Sequence, residues 1–256
     1  YNALGHISQN ANKYNPRLLE SIERPKINLF GQDDIVCFDF YVHNVFGCPV
    51  VGYLQISIAR DSAKIIESKS LKLYLQSLSN LHKPIEQILT TIEQDLSTFL
   101  NHYVKVQFQS VDDTPLTAIQ CSIIEKDPSI LRQAKNYSEK TVNLNAIQLQ
   151  QTNEVLATHL FRSFCPVTGQ PDFATILLAG DLIPDSSLWL GLLLRLSNHQ
   201  GFHESIVDLM ATELAKAGCQ NFWVQGLFQR RGGISINPFR SDNSVAKPRY
   251  NRSVRQ

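Results

Sequence analysis

Leu78-Ser79-Asn80 followed by Glu86-Gln87-Ile88 returns as Leu196-Ser197-Asn198 followed by Glu204-Ser205-Ile206, at a constant offset of 118 residues. Both copies stand between stretches of helical spacing. Leu71, Leu75 and Leu78 recur at helical intervals. Pro84 then opens a second helix, on which Ile85, Ile88, Leu89, Ile92, Leu96 and Phe99 make one apolar stripe. In the second copy residues 186–197 and 203–217 read the same way. Apolar runs at 35–46 and 50–60, broken by Gly47 and Pro49, suggest a hairpin of long strands, and 154–164 with 173–183 repeat it. Val104, Val106 and Phe108 alternate as in a strand, for which 118–124 is a plausible partner; 221–229 and 232–237 close the second half.

The order ββααββ therefore occurs twice, the mark of a tandem duplication. The expected organisation is an extended lead-in over 1–34, a first module over 35–124, a linker over 125–152 rich in Lys, Asn and Gln, and a second module over 153–256. The fold class expected is α+β, with antiparallel sheets and helices on one face. Function should lie where the halves, or copies of them, meet.

Bulk properties narrow the function without naming it. The chain has 256 residues, 43% hydrophobic and 18% charged, with a net charge of +1. That near-neutrality gives no global field for direct nucleic-acid binding or a membrane surface. No long uncharged apolar run suggests a membrane span, and residues 1–6 lack a hydrophobic signal core. Five cysteines, without a CxxC pair, argue for a reducing compartment and against a zinc ribbon. The plain reading is a cytoplasmic protein with no metal.

The chemistry concentrates in Phe164-Cys165-Pro166-Val167-Thr168-Gly169-Gln170-Pro171-Asp172. A thiol is followed by a proline and a polar turn, and a carboxylate arrives just before the apolar run 173–178. A turn folded back on itself brings nucleophile and proton donor to one pocket. The thiol needs local help, because it attacks as thiolate and its free pKa is about 8.5. A buried structural thiol is the alternative.

A second constellation is Glu67-Ser68-Lys69-Ser70-Leu71-Lys72-Leu73-Tyr74, at a strand-to-helix junction. Ser70 or Ser68 can cap the helix, whose N-terminal N–H groups favour an anion. Lys69 and Lys72 share a helix face and can converge on a phosphate, unless they are simply solvated. Glu67 can accept from an amidine-like N–H pair. Phe202-His203-Glu204 begins a helix, and Arg230-Arg231-Gly232-Gly233 forms a basic turn. No GxGxxG follows a strand, so phosphates of a dinucleotide would rest on basic side chains.

The octet Glu67–Tyr74 and the run Cys165–Asp172 resemble the signature and nucleophile segments of the NADPH-dependent 7-cyano-7-deazaguanine reductases, the nitrile reductases of queuosine biosynthesis. His203-Glu204 and Arg230–Gly233 fall in the same order. The likeness runs from about residue 35 onward and is to the longer, two-module form. It implies tandem tunnelling-fold modules, the ββααββ unit shared with GTP cyclohydrolase I. It also implies that Cys165 adds to the nitrile to give a covalent thioimide, while Asp172 protonates the nitrogen. Two hydrides from NADPH then yield the primary amine, 7-aminomethyl-7-deazaguanine.

By the same resemblance His203 serves proton transfer or hydride alignment beside the reacting centre. Ile66, Glu67, Ser68, His203 and Glu204 bind the deazapurine. Ser68, Lys69, Lys72, Arg231 and Gly232 bind NADPH. A homodimer or larger homo-oligomer is implied. Three rivals remain at this point: a cyclohydrolase-like enzyme, a cysteine hydrolase built on Cys165, His203 and Asp172 and acting on a purine-like substrate, and a deazapurine-binding module without catalysis.

Overall fold

A computed structural model describes residues 13–111, 119–139, 149–250 and 256. They form a mixed α+β protein with largely antiparallel sheets, divided into two compact units. Among the described residues the first unit holds 13–25, 35–111 and 232–234. The second holds 26–34, 119–139, 149–231, 235–250 and 256.

The first unit is built from β1 (Ser21–Glu23), most of β2 (Phe30–His43), β3 (Pro49–Ala59), β4 (Lys64–Ile66), α1 (Ser68–Ser77), α2 (Ile85–Leu100) and β5 (Val104–Ser110). Strand β3 pairs antiparallel with β5 from Gly52↔Ser110 to Ile58↔Val104. Leu54, Ile56 and Ile58 alternate inward along β3. Ile88, Ile92, Leu96 and Leu100 of α2 and Leu71, Tyr74 and Leu75 of α1 complete this core. The short strand β4 pairs with β1, Ile66 opposite Ser21.

In the second unit the strands are β6 (Ser122–Ile123), β7 (Leu149–Gln151), β8 (Leu156–Phe164), β9 (Pro171–Ala179), β10 (Leu182–Pro184), β11 (Trp223–Phe228) and β12 (Ile234–Ser241), the last entering after its first residue. The helices are α3 (Pro128–Glu139), α4 (Ser186–Leu196) and α5 (His203–Lys216). The strand order is β12-β11-β9-β8-β6. Trp189, Leu193, Ile206, Val207 and Met210 of the helices cover one sheet face through Ile176, Leu178, Val224 and Phe228. On the other face Leu177, Trp223, Leu227 and Phe239 meet Ala246 and Tyr250.

The duplication is visible element by element. Helices α1 and α4 start 118 residues apart, at Ser68 and Ser186, as do α2 and α5, at Ile85 and His203. The same offset relates β4 to β10. Each of these short strands pairs with a lead-in strand, β1 or β7. Three-residue strands have no periodicity to read, so these small sheets leave no sign in the sequence.

Two expectations need correction. Residues 118–124 do not pair with β5: Ser122 and Ile123 pair parallel with Leu156 and Ala157 of β8. Ile119, Cys121 and Ile123, alternating along this stretch, pack on the Trp223 face of the second unit. The segment 125–152, expected to be a linker, holds α3 and β7. Asp127 accepts from the Ser129 N–H at 2.8 Å ahead of α3, and Pro128 fits the first helical position. Ala134 and Ile130 then pack into the helical-face core.

Candidate active site

Local hydrogen bonding shapes the turn around Cys165. The Cys165 N–H donates to the Gln170 carbonyl, and Gly169 N–H returns to the Cys165 carbonyl, both at 2.9 Å. Gly169 has φ 65°, a left-handed conformation that closes the turn without Cβ strain. Phe164 N–H donates to His199 O and Gly201 N–H to Phe164 O, both at 3.0 Å. These bonds tie the end of β8 to the loop that starts α5, so the strand turn and the helix N-terminus share one neighbourhood.

Asp172 is the second residue of β9 and alternates with Ala174, Ile176 and Leu178 onto the helix-covered face. It is 5% exposed. One carboxylate oxygen, Oδ2, lies 3.3 Å from His203 Nε2, and the other, Oδ1, accepts from Arg231 Nη1 at 2.8 Å. His203 is the first residue of α5 and stacks on Phe228, with ring centroids 4.0 Å apart. Its Nδ1 is buried without a hydrogen-bond partner. An ionised carboxylate at Nε2 selects the Nε2–H tautomer and leaves a lone pair on Nδ1. Arg231 also donates to the Gln170 side-chain oxygen.

Electrostatics separate Cys165 from the buried cysteines. Burial pushes the Cys37 thiol far up and Cys219 up to about 12. Burial also works against the Cys165 thiolate, but the Thr168 hydroxyl and the Thr168 and Val167 N–H groups outweigh it and draw the thiol down. The nearby Asp172 charge opposes that lowering. For Asp172 itself burial is likewise overcome, by His203 and then Arg231, which hold the carboxyl below its usual range. The carboxylate is therefore ionised near neutral pH, rather than carrying a proton ready to donate.

The remaining candidates fall as follows. Glu204, next after His203 in α5, is 3% exposed. In the first unit the α1 cap is Glu67, not Ser68 or Ser70: its Oε1 accepts from Lys69 N at 3.0 Å and its Oε2 from Ser70 N at 2.7 Å. A carboxylate offers two acceptors and a charge to the helix dipole, and a hydroxyl offers less of both. Ser68 opens α1, while the Ser70 hydroxyl bonds the Glu67 carbonyl at 2.8 Å. Ile66 is 2% exposed, its side chain in the core. Lys72 Nζ lies 3.3 Å from Asp39 Oδ2 and donates to the Gly232 carbonyl, so this amine already has acceptors.

Comparison with known proteins sets this geometry in a family. The family model described as "Nitrile reductase, 7-cyano-7-deazaguanine-reductase N-term" matches residues 8–108. An NADPH-dependent 7-cyano-7-deazaguanine reductase of Dechloromonas aromatica is 30% identical over 271 residues, 99% of this chain and 94% of that protein. The chain belongs to this reductase family. The Coxiella burnetii 7-cyano-7-deazaguanine reductase is also 30% identical, across 99% of this chain and 96% of its own length. That of Burkholderia orbicola is 28% identical over 100% of this chain and 99% of its length.

A phosphate-bearing dinucleotide, as the names of these reductases require, fits the residues present. Gly232 has φ 58°, a left-handed conformation that favours glycine, and Lys72 Nζ stands beside it. The Arg231 side chain is 40% exposed and can turn toward an anion. What sequence reasoning missed is Thr168 and Gln170. Both stand in the run Phe164–Asp172 but read only as turn residues. Their partners are set by the hairpin and by Arg231, which is distant in sequence.

Proposed function

We propose that this chain reduces the nitrile of 7-cyano-7-deazaguanine to the primary amine 7-aminomethyl-7-deazaguanine through a thioimide on Cys165, in queuosine biosynthesis. The observation that carries this reading is the environment of Cys165. Its thiol is drawn down by Thr168 and Val167 and stands within electrostatic reach of an ionised Asp172. A soft sulfur nucleophile suits the electrophilic carbon of a nitrile.

The sulfur–carbon bond forms as one carbon–nitrogen π bond breaks toward nitrogen. Asp172 accepts the thiol proton and passes it to that nitrogen, acting as a relay rather than as a standing acid. His203, stacked on Phe228, orients Asp172 through Nε2 and serves proton transfer or hydride alignment beside the reacting centre. NADPH, when bound, supplies the hydrides, two for each nitrile. Glu204 of the second unit and Glu67 of the first are each candidate acceptors for N–H groups of a deazapurine. The α1 N–H groups hold Glu67 in place for that task. Ser68, Lys69, Lys72, Arg231 and Gly232 serve the phosphate-bearing cofactor.

The five free cysteines suit a reducing compartment, taken as the cytoplasm. Among the described residues no helix is long and apolar enough to cross a membrane. Stoichiometry tests the reading: two NADPH should be consumed per amine formed from 7-cyano-7-deazaguanine. Release of a carboxylic acid or ammonia without NADPH loss would show a hydrolase instead.

A further inference from the structure

Asp172 has two cationic or hydrogen-bonding partners of unequal mobility. His203 has a side chain 15% exposed, sits at the base of α5 and is stacked face to face on Phe228. It has no room to leave. Arg231 has a side chain 40% exposed and leads directly into Gly232 and Gly233, at φ 58° and 83°. Its second anchor, the Gln170 side chain, is exposed. The Gly232 and Gly233 carbonyls are themselves held, by Lys72 Nζ and by the Phe38 N–H, so the backbone stays in place; one partner is packed against Phe228 and the other is open to solvent through its side chain.

A proton relay needs the carboxylate in two states. To accept from the thiol it must be ionised. To hold the proton until the nitrile nitrogen takes it, it must tolerate being neutral, which a guanidinium at 2.8 Å opposes. We propose that Arg231 is a movable counterion for Asp172: seated on Oδ1 it keeps the carboxylate ready for the Cys165 proton, and drawn off by a phosphate-bearing ligand it lets Asp172 retain that proton for transfer. Arg231 is thus a positioning residue for the relay as well as a candidate phosphate ligand. The proposal rests on the nitrile-reductase reading. The charged or titratable groups facing Asp172 are His203 from α5, Arg231 from the β11–β12 turn and Cys165 from the β8–β9 turn.

The test is a carboxyl ¹³C NMR titration of the full chain, with the Asp172 signal assigned through Asp172→Asn. Arg231→Gln should move the Asp172 midpoint upward by about 1 pH unit or more. Arg231→Lys, which keeps a cation without the two-pronged geometry, should fall between. Saturating NADP⁺ should raise the midpoint in the unmodified protein and leave Arg231→Gln unmoved. Equal midpoints in the unmodified protein and Arg231→Gln overturn the counterion role. An unmoved midpoint on saturation of the unmodified protein with NADP⁺ overturns the release. No nitrile is present, so the outcome is independent of whether a thioimide forms. If Arg231→Gln does not fold, Arg231→Lys and the NADP⁺ comparison still decide.

Discussion

Three donors within its own turn draw the Cys165 thiol down against its burial: the Thr168 hydroxyl and the N–H groups of Thr168 and Val167. Thr168→Val removes one of them. The midpoint for alkylation of Cys165 by iodoacetamide should then rise, and the rate at pH 7 should fall about tenfold for every pH unit that the midpoint climbs. Cys48 is exposed and competes for the reagent, so adducts are mapped by peptide mass. An unchanged midpoint would remove Thr168 from the account. Asp172→Asn should slow thioimide formation by about 10²- to 10⁴-fold, because the relay loses its proton acceptor. Cys165 and Asp172 are legible as a pair because seven residues of chain and a turn signal join them. The ionised state of Asp172 is not legible, since Arg231 and His203 reach it only through the packing of β9 against α5 and the β11–β12 turn.

At the scale of elements, the repeated Leu-Ser-Asn run marks the same helix junction twice, and the helix starts obey its offset. The caps obey it too. Glu67 and Asp185 each accept from the N–H groups two and three residues ahead, Asp185 from Ser187 at 2.8 Å and from Leu188 at 3.1 Å. Asp185→Ala should therefore cost about 0.5–2 kcal/mol in urea unfolding, the ordinary value of a carboxylate cap. A loss below that range would mean the cap is replaced by solvent. Long helices and long strands are readable because their apolar periods span several turns or pairs. The first-module partner strand fails because Ile119, Cys121 and Ile123 have a good strand pattern that suits either sheet. Helix α3 escapes notice because its polar composition masks Asp127-Pro128 and the Ile130–Ala134 spacing.

For the whole molecule, stability and chemistry meet in buried charge. In the second unit Arg240 is fully buried, with Nη2 2.7 Å from Asp33 and Nε 2.5 Å from Asp208. Burial alone would disfavour the guanidinium, but the two carboxylates overcome it. Asp208→Asn should destabilise the protein by about 3–5 kcal/mol, since an incompletely paired cation would stay inside. Asp172 adds a pH dependence. Its folded-state pKa is depressed, so its contribution is present above the ordinary carboxylate pKa and is lost as pH falls through the folded value. Asp172→Asn should therefore flatten the acid limb of stability in urea titrations. We also propose a homodimer or larger assembly, which sedimentation velocity would resolve from a 28.9 kDa monomer. Absorbance on mixing with 7-cyano-7-deazaguanine without NADPH tests most directly whether Cys165 attacks the nitrile. The account predicts a thioimide band in the unmodified protein and none in Cys165→Ala. A band in Cys165→Ala, or NADPH oxidation by that variant with the same substrate, would contradict it.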